Sequence, residues 1–288
     1  MACSNDVSVV MITRNRRDQV LRTLPELAAL PGRPPVVVVD NGSTDDTPDT
    51  VERTFPDVCV VRLDRNAGSA GRNIGVRAVT TPYVAFADDD SWWAPDALTR
   101  ASALLDANPR LAVVAARVLV GPDLVIDPTC LAMARTPLYT APGEPGRTVL
   151  GFIACGAIVR VDAFLEVGGF AGMLGVGGEE QLLAVDLATA GWRLAYCDSV
   201  VAIHHPSPVR DTARRDRVVI RNALWSVWLR RPWPVVARRT ARLAFDATRD
   251  AQTRTAFTEA VRSAPAVFSR RRAVPREIER QVRMVERS

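Results

Sequence analysis

Residues 83–93 read YVAFADDDSWW. Five apolar or small residues run without a break into three carboxylates and two tryptophans. The run predicts a buried strand over 83–90 whose carboxyl end opens on acid. Runs of the same kind stand at 7–12 (VSVVMI), 36–40 (VVVVD), 59–63 (CVVRL), 111–120 (LAVVAARVLV) and 152–161 (FIACGAIVRV). Helical patterns fall between them. One carries Val20, Leu21, Leu24 and Leu27; others cover 68–79 and 95–108. DAFLEVGGF is a short helix stopped by Gly168 and Gly169, and GEEQLLAVDLATAGW is a longer one ending near Gly191. Residues 121–148, rich in Pro and Gly, predict a long irregular loop. Strands with both faces covered, alternating with helices, define an α/β class with a mostly parallel sheet sandwiched by helices.

The chain has 288 residues, 48% hydrophobic and 24% charged, which excludes disorder and allows one large domain with an appendage. No apolar run reaches the roughly 18 residues of a spanning helix. The first residues, MACSNDV, do not resemble a secretory signal. The five cysteines are scattered and contain no Cys-x-x-Cys pair, which predicts free thiols in a reducing compartment. Every basic residue is arginine. From Arg210 onward there are 20 arginines against 8 acids, whereas residues 1–209 carry 17 against 24. An acidic body that manages cations and a basic tail that meets anions follow from that asymmetry.

The chain divides into an acidic α/β body over 1–209 and an Arg-rich helical region over 210–288. Asp88, Asp89 and Asp90 repel one another unless a cation or strong donors offset the cost. Strand alternation sends Asp88 and Asp90 to one side. A hard ion, Mn²⁺ or Mg²⁺, takes a couple of carboxylates and completes its shell with phosphate oxygens. Asp40 stands at the carboxyl end of its strand, where open α/β sheets bind ligands. RNAGSAGRNIG (65–75) lacks dinucleotide-type glycine spacing, but its small residues permit close approach to a ligand, and Arg72 can reach a base or phosphate. Glu179 and Glu180 follow a glycine loop and suit a general base. They also suit helix-start acids held by the macrodipole. His204 and His205 are candidate metal ligands.

In this order and spacing, VSVVMITRNR, VVVVDNGSTDDT, RNAGSAGRNIGV, FADDDSWW and CGAIVRVDAFLEVGGF followed by GEEQLLAVDLATAGWRLAY resemble the family 2 glycosyltransferases with the GT-A (Rossmann-like) fold. The resemblance covers roughly residues 5–207 and implies a catalytic domain over 1–209, with nucleotide-sugar binding over about 5–120 and the acceptor and base side over about 121–209, followed by the helical region 210–288. It implies a metal-dependent inverting enzyme that moves a sugar from a nucleotide-diphosphate donor to an acceptor hydroxyl. A UDP-sugar is favoured and a dTDP-sugar is the second choice. Thr13, Asp40 and Arg72 would hold the nucleoside, with Arg14, Asn15, Asn66 and Gly68 beside them. Asp88 and Asp89 would contact ribose and diphosphate. Asp90 would be the principal metal ligand, with Asp88 near it and His204 or His205 completing the set. Glu180 stands where the family carries an aspartate, so either Glu180 or Glu179 is the implied base. The acceptor is a glycan, a lipid-linked glycan or a small molecule.

Two other classes compete: a non-catalytic nucleotide-sugar or membrane-surface binding module, and a sugar nucleotidyltransferase. The second lacks a glycine-rich phosphate cradle after TRNRR. In the tail, Trp225, Trp228 and Leu229 share a helical face, Arg238, Arg242 and Arg249 share another, and Trp233 lies between prolines. The tail is either an amphipathic anchor on anionic lipid or an appendage that packs its tryptophans onto the body. No nucleic-acid-binding motif accompanies the charge, so that partner is not expected. A cytoplasmic location, with peripheral contact at the inner face of the membrane, follows.

Overall fold

The computed structural model describes residues 6–206 and 212–288. Val7–Thr13 (β1), Arg17–Ala28 (α1), Val36–Asp40 (β2), Thr47–Thr54 (α2), Cys59–Arg62 (β3), Gly71–Ala78 (α3) and Tyr83–Asp88 (β4) form the first half. Ser91–Trp93 (β5), Ala97–Ala107 (α4), Leu111–Val120 (β6), Val125–Ile126 (β7), Pro128–Ala134 (α5), Arg147–Thr148 (β8), Ala157–Arg160 (β9), Val161–Glu166 (α6), Glu179–Thr189 (α7) and Arg193–His204 (β10) follow. The tail is helical: Thr212–Arg230 (α8), Trp233–Ala247 (α9), Ala251–Arg262 (α10), Ala264–Phe268 (α11) and Arg276–Val285 (α12).

One sheet runs in the order β3-β2-β1-β4-β9-β6-β10-β5, with β7 beside β6 and β8 beside β10. The first four strands are parallel, as continuous apolar runs predict. Beyond them β9 enters antiparallel to both β4 and β6, so the second half is mixed. Val9, Val10, Val38, Val39, Ala85 and Phe86 are sealed from solvent at the centre. Each of these valines and the phenylalanine contributes about 1.5–3 kcal/mol of burial. Gly75 lets α3 lie close on the sheet, because a Cβ there would come 2.4 Å from Val10 Cγ1.

Three sequence expectations shift. Residues 121–148 are not one irregular loop: Asp127 caps α5 by accepting from the Thr129 N–H at 2.7 Å, and β7 and β8 flank it. The 152–161 strand shrinks to β9, because residues 154–156 turn as a short 3₁₀ segment. The 83–90 strand ends at Asp88, and Asp89–Asp90 form a turn into β5.

The tail packs its apolar face inward. Trp225, Trp228, Leu224 and Leu229 form a buried cluster with Leu174 and Leu182 of the body. Trp225 and Trp228 are therefore packing residues, whereas Trp233 is exposed and stacks on Phe268. Buried Arg231 ties α8 to α12 through Glu279 (2.6 Å) and Glu286 (2.5 Å). No described helix is long and apolar enough to cross a membrane. The expected boundary at 209/210, and Arg210 itself, lie outside the described residues.

Candidate active site

Register places the acids. Thr13, the last residue of β1, pairs with Asp40 of β2, and Ile12 pairs with Asp88 of β4. Parallel strands therefore end together, and their tips carry Thr13, Asp40 and Asp88 at one edge of the sheet.

The three aspartates divide between two arginines, Asp88 going to Arg72 and Asp89 and Asp90 sharing Arg16. Asp88 is ion-paired with buried Arg72 on α3. Asp89 accepts from Thr13 Oγ1 at 3.0 Å and from Arg16 Nε at 3.3 Å, while its main-chain carbonyl accepts from Thr23 at 2.7 Å. Asp90 accepts from Arg16 Nη2 at 3.3 Å. The strand stops at Asp88, so strand alternation does not extend to Asp90, and the two carboxylates have different ion-pair partners. Burial pushes Asp89 up to about 6; Arg16 and Thr13 oppose that rise, and Asp90 and Asp88 add to it.

His204 closes β10, where register pairs it with Ser91 of β5. Its Nε2 lies 3.2 Å from Asp90 Oδ1, yet no hydrogen bond of acceptable angle forms, and the buried nitrogen has no hydrogen-bond partner among the described residues. His205 turns away: its ring meets Trp92 edge-on at 4.7 Å, and only its main-chain N–H reaches the Asp90 carbonyl, at 2.8 Å. Of the expected histidines, His204 faces the acids and His205 does not. Among the described residues no group of three or more His, Cys, Asp or Glu is gathered to hold a metal alone. A carboxylate facing an orphaned imidazole nitrogen fits a divalent ion that draws its other ligands from a phosphorylated substrate.

The two loops beside β1 and β2 interlock. Asn15, at φ 53°, accepts from the Thr44 N–H at 2.7 Å and donates its own N–H to Ser43 Oγ at 2.8 Å. Exposed Arg14 reaches the Gly42 carbonyl at 3.4 Å. Asp40 is buried, and both of its oxygens are engaged by Ser43, one by the main-chain N–H at 2.9 Å. In this conformation Asp40 therefore holds the turn. Asn66 accepts from the Gly68 N–H at 2.8 Å. Gly68, at φ 59°, packs so closely on Gly175 that a Cβ would come within 2.9 Å of its Cα.

Gly175 belongs to the glycine loop that introduces α7. Gly178 caps that helix in the left-handed region at φ 86°, a conformation that favours glycine. Glu179 is buried and accepts from the Gly177 N–H, so it locks its own loop. Glu180 is half-buried. Burial first, then the charge of Glu179, push its carboxyl up to about 7; Arg72 opposes and Asp88 adds. Arg72 feels Asp88, Glu180 and Glu179 together, and these hold its pKa above the ordinary value although burial acts the other way. One strand-tip acid, Asp88, and the Glu179–Glu180 pair thus act electrostatically on the same guanidinium.

Three contributors escape sequence inspection. Arg16 bridges Asp89 and Asp90; it was visible only as part of a basic stretch. Asn73 clamps Phe170 by a reciprocal pair at 2.8 and 2.9 Å, which seats the Phe170 ring 5.6 Å from the Arg72 guanidinium. Asn222 of α8, fully buried, donates to the Leu174 and Gly177 carbonyls. Asn73 stands inside the 65–75 stretch with nothing there to single it out, and no periodicity or motif marks Asn222. The four described cysteines, Cys59, Cys130, Cys155 and Cys197, are free thiols.

An α/β sheet with acids at its strand tips and a carboxylate-bearing glycine loop meets a family model: residues 8–168 match glycosyl transferase family 2, and the chain belongs to that family. It is on that ground an enzyme of the glycosyltransferase class. The N-acetylglucosaminyl-diphospho-decaprenol L-rhamnosyltransferase of Mycobacterium tuberculosis is 27% identical over 238 residues, 68% of this chain and 75% of that protein. Among solved structures, S. aureus TarS 1–349 in complex with UDP-GlcNAc superposes with a TM-score of 0.60 at 19% identity, over 77% of this chain and 66% of that one. The mannosyltransferase PcManGT of Pyrobaculum calidifontis, in complex with GDP-Man and Mn²⁺, gives 0.58 at 19% identity, over 98% and 86%. These similarities establish a GT-A-type fold.

Proposed function

We propose that the protein is an inverting, metal-assisted glycosyltransferase that uses a nucleotide-diphosphate sugar, with Glu180 as the general base. The observation that supports this reading is the ion pair of strand-tip Asp88 with buried Arg72, a guanidinium that also feels the charges of Glu180 and Glu179. A UDP-sugar donor is supported by the UDP-GlcNAc in TarS. A glycan or lipid-linked acceptor is supported by the name of the mycobacterial relative.

The residues divide the work as follows. Thr13 and Arg16 hold Asp89 and Asp90 in place, and Asp90 with His204 would hold Mn²⁺ or Mg²⁺. When bound, such an ion neutralises charge on a departing diphosphate. Arg72 supplies fixed positive charge beside Asp88. Glu180 takes the proton of the acceptor hydroxyl as that oxygen attacks the anomeric carbon opposite the leaving group. One displacement inverts the configuration through an oxocarbenium-like transition state. Asp40 reaches a nucleobase once Ser43 yields one of its carboxylate oxygens. Catalytic domain 1–209 and helical region 210–288 are the corresponding units.

The experiment is transfer from UDP-sugars with Mn²⁺. Loss of turnover in Asp90→Ala supports the assignment, and a near-normal rate refutes it. A second reading, contact of 210–288 with anionic membrane, rests on exposed Trp233 and Phe245 beside the arginines of α9. Equal sedimentation of wild type and a Trp233→Ala/Phe245→Ala variant with anionic vesicles removes it.

A further inference from the structure

A cavity of about 500 Å³ lies between α7 and the tail helices α8, α9 and α12. Its floor is aliphatic: Leu182 and Val185 of α7, Leu224 and Val227 of α8, Leu243 of α9 and Val282 of α12. The volume is that of a ligand pocket, and an aliphatic cavity takes an aliphatic guest. It is not the cleft of the base. On a helix of 3.6 residues per turn, Gln181, Leu182 and Val185 share one face of α7, and Glu180 stands about 150° round from its centre. On that other side Glu180 feels Arg72 and Asp88.

Four arginines line the cavity against two carboxylates, Asp246 and Glu286. Arg230 is committed to Asp186 at 2.5 and 2.9 Å, and Arg231 to Glu279 and Glu286 at 2.6 and 2.5 Å. The other two stand at the mouth. Arg239, Arg242, Leu243 and Asp246 recur at helical spacing on one face of α9. Arg239 reaches Glu286 at 3.1 Å, on a carboxylate that Arg231 already holds. Arg242 pairs with Asp246 at 3.2 Å, but the two side chains are 77% and 41% exposed. An ion pair so open to water contributes little, so another carboxylate can replace Asp246 on that guanidinium.

We infer that this cavity binds a single-chain aliphatic carboxylate, a fatty acid, with its tail on the aliphatic floor and its head on Arg239 and Arg242. Planar guanidinium donors pair with both oxygens of a carboxylate. The head carries one charge, because Asp246 and Glu286 stay at the rim and repel a dianionic phosphate more strongly than a monoanion. Four arginines turn a cationic head away. A neutral chain would gain nothing from Arg242.

The test is calorimetric titration of the full chain with dodecanoate, dodecanol and dodecyl phosphate, each kept below its micelle-forming concentration. The chains are wild type, Arg239→Gln/Arg242→Gln and Leu243→Trp. Wild type takes up a single dodecanoate and melts at a higher temperature in its presence. The double variant weakens that binding at least tenfold; both residues are exposed, so an unchanged melt without ligand checks its fold. Leu243→Trp, whose ring fills the cavity, weakens it as well, and if that chain fails to fold the double variant decides. Equal affinity in wild type and double variant, or no binding by wild type, overturns the inference. Dodecanol bound as tightly as dodecanoate overturns the anionic head. Dodecyl phosphate bound more tightly overturns the single charge. Uptake of many dodecanoates per chain, unchanged in either variant, is adsorption of a detergent and overturns the site.

Discussion

Asn222 donates its side-chain amide to the Gly177 carbonyl at 2.7 Å, joining the C-terminal helices to the loop that presents the candidate base. The same nitrogen reaches the Leu174 carbonyl at 2.8 Å. Asn222→Ala leaves both carbonyls without that donor, which costs about 1–3 kcal/mol of stability. It also frees a loop whose misplacement by about 1 Å can cost some hundredfold in rate. The expected result is a fall in kcat of ten- to a hundredfold, with nucleotide affinity unchanged. Steady-state kinetics beside nucleotide titration measures the split, and a parallel loss of both assigns Asn222 to general stability.

How much of this was legible in the residues varies with the kind of signal. Unbroken apolar runs declared β1, β2, β4 and β6, because parallel strands covered on both faces need no alternation. The seven-residue α5 and the two-residue strands β7 and β8 carry too few residues for any period to show. The acid triplet was visible, but its geometry was not: where a strand stops is decided by the turn, and with the strand ending two residues early Asp88 meets Arg72 while Asp90 meets His204. Two adjacent histidines could not be ranked without knowing which faces the sheet tip. The roles of Arg16 and Asn222 rest on partners 73 and 45 residues away, a separation that local pattern does not encode.

Glu180 sets a pH dependence. Its carboxyl is pushed up to about 7, so below that value it keeps its proton and cannot accept one. The rate should rise with pH through about 7. Glu180→Gln should lose transfer by about 10²–10⁴-fold while keeping donor affinity. The stability sign is opposite. Between about 4.5 and 7 the folded state binds this proton more tightly than the unfolded chain, so stability falls as pH climbs through that window. Urea denaturation of wild type and Glu180→Gln across the window checks this: the variant loses the slope.

Asp90 and His204 should act together on metal affinity. On the proposed reading each would supply one ligand to an ion that the substrate completes, so His204→Ala should weaken Mn²⁺ binding in the presence of UDP by about tenfold or more, within the range seen when a site loses supporting groups. Asp90→Asn should weaken it further. Chelation should stop transfer, and added Mn²⁺ should restore it. Electron paramagnetic resonance of free Mn²⁺ measures the affinity directly. Equal affinity in wild type and His204→Ala would move the ligand role elsewhere.

Arg231 gives the tail its own acid sensitivity. It is buried between Glu279 and Glu286, and Arg283 also reaches Glu279 at 2.6 Å. Burial alone would raise both carboxyls, but hydrogen bonds and charge from Arg231 keep them below the usual glutamate range. Depressed carboxylates add stability above their unfolded pKa and lose it as pH falls through the folded values. Arg231→Met removes the cation and leaves buried Glu279 with only Arg283, at a cost of about 3–5 kcal/mol at neutral pH. Because acid neutralises the same carboxylates, the gap between wild type and variant should narrow below about pH 4, near the ordinary glutamate pKa. Thermal melts from pH 3 to 8 follow both chains, and a gap that stays constant into acid would mean that the pair contributes packing rather than charge.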